Sequence, residues 1–242
     1  MKTTISVLAL TVLTGSAVAG PTLLVDPALL NGSLVGDTMA QARFRGTTNN
    51  FDLALDNSGS AQNGSKGELS NSASALSQSF SFLFEYNGGT DPSITFTVTS
   101  VNNPALTQTV SITDTISAFN TISLNTSVSN RRGNDDSVSV DALSFSGLNV
   151  DAGALDAARQ DLALTGSSGF NETFLFAGVD MSQMDFTISG ELSMFVADGS
   201  REESPRFQIN LRNADAEVVP LPGPGLLGLA GVGLVAARRR RA

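Results

Sequence analysis

The chain has 242 residues, a net charge of −9, a single tyrosine, and no cysteine, histidine or tryptophan. Without Cys or His it cannot build a disulfide, a Cys nucleophile, a Ser-His-Asp triad or a zinc site of nitrogen and sulfur ligands, and it lacks a histidine switch near neutral pH. The acidic balance makes nucleic acid an unfavourable partner.

Residues 1–19 read as a signal peptide. Lys2 gives a positive start, residues 5–13 are mostly apolar, and Ala17-Val18-Ala19 is a small-residue cleavage motif that predicts cutting before Gly20. Residues 20–217 then form one domain, of a size that can bury a substantial core without cross-links. Lys2 and Arg238 to Arg241 lie outside it, so nine basic residues face all 23 acidic ones, a balance of −14. Such a surface is soluble and repels polyanions, as suits an exported protein.

The domain reads as short alternating segments. Residues 40–45 and then Phe51, Leu53 and Leu55 set the period, after a loop at 31–36. Residues 57–74, rich in Gly, Ser and Asn, read as a second loop. The clearest strand puts Phe80, Phe82, Phe84 and Tyr86 on one face and Ser81, Leu83 and Glu85 on the other. A turn at 87–92 returns the chain through Ile94, Phe96 and Val98, with Thr95, Thr97 and Thr99 opposite, which predicts a hairpin with one buried and one wet face. Further period-2 runs are Val110 and Ile112; Ile122, Leu124 and Val128; Val138 and Val140, shifting phase to Leu143 and Phe145; Phe174 and Phe176; Phe186, Ile188, Leu192 and Met194; and Phe207, Ile209 and Leu211. Residues 151–164 break the pattern, with Leu155, Ala158 and Leu162 at helical spacing. The expected fold is all-β: an antiparallel β-sandwich or jelly roll of about ten strands with one short helix and a C-terminal transmembrane-like sorting helix.

That last element occupies residues 218–242. Val219-Pro220-Leu221-Pro222 precedes an apolar Gly/Leu/Ala run at 225–237 and four arginines, Arg238, Arg239, Arg240 and Arg241. As a helix the run is about 20 Å long against a hydrocarbon core of about 30 Å, so it spans only marginally. The arginines act as a cytoplasmic stop and would place the domain on the far side of the membrane.

This order of Pro motif, apolar run and Arg cluster resembles the PEP-CTERM class of bacterial sorting signals, closest to its Val-Pro-Leu-Pro-Ala variant. Here Gly223 stands where that variant has Ala, and Leu221 where the commonest pattern has Glu. The resemblance implies export machinery and an exosortase-like membrane transpeptidase as partners, recognition near Val219, Pro220, Leu221 and Pro222, and removal of the tail. It further implies transient inner-membrane anchoring, then release to the cell surface or extracellular matrix. The strand-dense body resembles "choice-of-anchor" surface domains in texture.

Carboxylates are the only plentiful reactive groups, and nothing pairs Glu85 or Glu191 into an acid/base couple. No cofactor is expected. Calcium is the one ion for which the loops offer hard oxygen ligands, at Asp56, Asp91, Asp135 and Asp136, although none has EF-hand spacing. Clustered Asp and Asn in turns also satisfy turn backbone. The expected function is a non-catalytic, exported surface or matrix protein with a structural or adhesive role, with exopolysaccharide as a partner. The alternatives are a carbohydrate-binding module, calcium-assisted or not, and a carboxylate-pair glycoside hydrolase.

Overall fold

The computed structural model describes residues 22–23, 35–46, 50–57, 65–70, 77–114, 116–150, 152–177, 179–197, 200 and 204–214. Residues 1–19 and 218–242, read above as a signal peptide and a sorting tail, lie outside the described residues.

In chain order the first strands are β1 (Thr22–Leu23), β2 (Val35–Gly46), β3 (Asn50–Asp56) and β4 (Ser65–Ser70). Next come β5 (Ser77–Asn87), β6 (Ser93–Ser100), β7 (Thr107–Thr113), β8 (Thr121–Ser129), β9 (Asp136–Ser146) and β10 (Asn149–Val150). Helix α1 (Ala152–Leu162) follows, then β11 (Leu164–Gly166), β12 (Ser168–Phe176), β13 (Phe186–Phe195) and β14 (Arg206–Ala214). They build two six-stranded sheets, ordered β11-β9-β13-β5-β6-β7 and β12-β8-β14-β2-β3-β4. Every pairing within both is antiparallel. The fold is all-β, and β1 joins β10 in a small parallel pair.

Alternation explains why the sheets stack. The even positions of β5, from Phe80 to Tyr86, are buried, as are Phe44 on β2 and Phe207 on β14 in the other sheet. Rings meet across the layers: Phe44 and Phe51 against Phe80 at 4.8 and 4.7 Å, and Phe82 against Phe207 at 5.0 Å. Such pairs each contribute about 0.5–1.5 kcal/mol beyond the area they bury. Helix α1 forms where the Ala-rich segment predicts it. It buries Ala158 and Leu162, and the Leu162 carbonyl accepts a bond from the Thr126 hydroxyl at 2.9 Å, which ties the helix to β8.

The phase shift read in residues 138–145 is a β-bulge. Asp141 pairs with Glu191 and Ser144 with Ser189, so Ala142 and Leu143 stand against the single residue Gly190. Ala142 takes a positive φ of 51° there. The extra residue turns Leu143 inward after Val138 and Val140. Glycine opposite the bulge has a steric reason: a Cβ at residue 190 would lie 2.8 Å from the Phe82 ring and 3.0 Å from the Asp141 carbonyl oxygen.

Two expectations require correction. The loop expected over 57–74 contains an edge strand, β4, paired with β3. Its inward positions are Gly67 and Leu69, so a single apolar side chain marks it. In β12 the aromatic alternation faces away from the inter-sheet core. Leu175 joins the core between the sheets, while Phe174 pairs with Ser123 and Phe176, itself buried, with Thr121 on the other side of the second sheet.

Candidate functional site

The two outer faces differ in chemistry. On the second sheet, registered rows run from Phe170, Ser127, Arg206 and Arg45 to Asp52, and from Glu172, Asn125, Gln208 and Arg43 to Ala54. A third row runs from Phe174 through Ser123, Asn210 and Gln41 to Asp56. Three of the domain's nine basic residues, Arg206, Arg45 and Arg43, therefore stand in these rows, with Arg212 one row further on. They are closely committed. The Arg45 Nε donates to both Asp52 oxygens at 2.6 and 2.8 Å, and Gln41 donates to Asn210, which donates to Ser123. Arg212 lies 3.8 Å from Glu172 and 5.9 Å above the Phe174 ring. Phe170, at the end of the first row, is 55% exposed.

The outer face of the first sheet is a field of hydroxyls. On β6 and β7 they pair with one another across the strands: Thr97 with Thr109 at 2.9 Å, Thr99 with Thr107 at 3.0 Å and Thr95 with Ser111 at 3.3 Å. At the other side of this face, where β11 ends after three residues, the surface dips into a cleft of about 250 Å³. Ser77, Ser137, Ser139, Thr165, Ser193 and Phe195 contribute to its lining, and among the described residues no charged side chain does. Asp141 and Glu191, directly opposite each other on β9 and β13 and both exposed, form the next row along.

The carboxylates expected as calcium ligands are not brought together. Asp56 ends β3, and Asp91 is exposed in the β5–β6 turn at the same end of the sandwich. Asp135 is exposed at the opposite end, beside a fully buried Asp136. Asp136 accepts from the Ala197 amide at 2.9 Å, the Ser204 hydroxyl at 2.8 Å, the Asn130 side-chain amide at 3.4 Å and the Ser200 hydroxyl. It anchors the loop between β13 and β14. Among the described residues no three His, Cys, Asp or Glu gather as a metal site requires. Glu85 stands on the first sheet's outer face opposite Thr187, apart from Glu191. Tyr86 is buried, so it offers no stacking platform for a sugar.

The cleft and the exposed Phe170 are what the sequence reading missed. Their signal was present only as Ser and Thr in the outward phase of several strands, and which of these become neighbours depends on strand order.

No helix of the described residues is long and apolar enough to cross a membrane. No family model and no curated protein matches the chain.

Proposed function

We propose that this chain is an exported, non-catalytic protein of the cell surface or extracellular matrix with a structural or adhesive role. Its C-terminal tail is sorted and processed by an exosortase-like membrane transpeptidase after transient anchoring in the inner membrane. The observation that carries the reading is the pair of terminal signals: Ala17 and Ala19 before the first cut, and Val219 to Pro222 with Arg238 to Arg241 at the other end. An all-β domain of −14 charge with hydroxyl-covered strands is cargo suited to that destination. Deletion of residues 218–242, followed by fractionation and intact mass measurement, tests the reading. Accumulation of the truncated chain in the periplasmic fraction, and a mature mass of the full-length chain that lacks the tail, are the expected results. An unchanged location, or a mature mass of the full-length chain that still includes residues 223–242, would refute it.

A second reading, a carbohydrate-binding module, draws on one observation, the uncharged hydroxyl-lined cleft beside β11. Retention on polysaccharide columns with and without EDTA tests it and separates a calcium-assisted mode from a metal-independent one.

A further inference from the structure

We propose that the cleft bounded by β11, β9, β13 and β5 is a subsite for one residue of a neutral polysaccharide, an inference that rests on the carbohydrate-binding reading and assigns it a place. The argument begins with hydroxyls that have no partner. On β6 and β7 the threonines of this face hydrogen-bond across the strands, so their polar capacity serves the sheet. In the cleft, Ser139 reaches Asp141 at 3.3 Å and Ser193 reaches Ser79 at 3.4 Å, both long contacts. The hydroxyls of Ser77, Ser137 and Thr165 meet no protein partner among the described residues. Five hydroxyls able both to donate and to accept thus line a concavity that Phe195 supplies with an apolar surface. A sugar ring has the same two-sided chemistry, hydroxyls at its rim and C–H groups on its faces. At about 250 Å³ the cleft lies below the range of about 300 Å³ where drug-sized sites begin. It suits one ring of a chain that continues along the open sheet face. Neutrality follows from charge: the lining carries none among the described residues, and the row beside it presents Asp141 and Glu191, which repel a uronate.

The test is retention of the full chain, in mild detergent, on immobilised laminarin, dextran and mannan, with alginate as the acidic comparison and glucose as the small-sugar competitor. Thr165→Trp and Ser193→Trp fill the cleft from exposed positions, Phe195→Ser removes its apolar wall, and Thr97→Trp adds the same bulk at the far side of the same face. Circular dichroism establishes that each variant is folded. The expected result is retention on at least one neutral polymer, weakened at least tenfold by each cleft variant and unchanged by Thr97→Trp. Retention that survives both Trp substitutions in the cleft overturns this site while leaving the carbohydrate reading intact. Absence of retention on every neutral polymer overturns both. Equal retention on alginate refutes the neutral assignment, and displacement by glucose at equal residue concentration refutes the polymeric one.

Discussion

The hydroxyl of Tyr86 donates to the backbone carbonyl of Ser182 at 2.8 Å, so the last inward residue of β5 holds the loop that leads into β13. Around this bond the Tyr86 ring stacks on Phe186 at 5.2 Å and meets Phe119 edge-on at 5.1 Å. Asp180 and Asp185 brace the same loop, through the Ser182 amide and the Gly88 amide, each at 2.9 Å.

Burial, and after it the charges of Asp180 and Asp185, push the Tyr86 phenol from 10.0 up to about 12. A raised folded-state value means that the unfolded chain loses its proton first. The stability this group contributes is therefore intact below pH 10 and falls as pH rises from 10 toward 12. With one tyrosine and no tryptophan in the chain, tyrosinate absorbance reports this residue alone. The expected midpoint is near 12 in the folded protein, against 10 in denaturant. A midpoint near 10 without loss of structure would contradict the assignment.

Asp136 is a buried carboxylate held by donors from β8's end, from the strip after β13 and from Ser204, which also accepts the Ser129 amide at 2.6 Å. Asp136→Ala leaves several buried donors without an acceptor, at a cost of about 3 kcal/mol. Ser204→Ala removes one bond to the charge and one from the backbone, costing about 2 kcal/mol. Urea unfolding followed by far-UV circular dichroism gives both values. Losses under 0.5 kcal/mol would show that the loop is held by other contacts.

Gly190→Ala presses a methyl group against the Phe82 ring and the Asp141 carbonyl. Overpacking of this kind costs about 1–3 kcal/mol, seen as a lowered melting temperature. Combining it with Phe82→Leu, which gives the methyl group room, is expected to cost less than the sum of the two single changes.

Thr97→Val and Thr109→Val each remove the hydroxyl bond between β6 and β7. The double change is expected to cost about as much as either alone, with a coupling of about 0.2–1 kcal/mol in a double-mutant cycle. Additive losses would mean that the 2.9 Å contact contributes nothing.

The hairpin of β5 and β6 was legible because its inner positions are large and its outer ones polar, so local pattern and tertiary burial agree. The shift at Leu143 was legible as a break in phase, though only the pairing with β13 reveals it as a bulge. β4 was not, because its inward positions are Gly67 and Leu69, and its composition matches that of a loop. β12 was legible as a strand but misleading in phase, since Phe174 and the buried Phe176 lie on the side of the sheet away from the inter-sheet core that Leu175 joins. Asp136 looked like any turn carboxylate in an Asn134-Asp135-Asp136 run; its burial depends on Ala197, Ser200 and Ser204, which reach it from far along the chain. The cleft was illegible for the same reason: its hydroxyls come from four strands.

The position of β14 has a mechanical consequence. This strand pairs antiparallel with β2 on one side and β8 on the other, and it is the last described strand before the proposed sorting motif at residues 219–222. Tension applied from the C-terminal direction therefore runs along the strand axis, and the rungs of both ladders bear it together in shear instead of parting one at a time. A domain tethered through its tail would resist drag at the strand nearest the tether, and it would do so without a covalent cross-link anywhere in the chain.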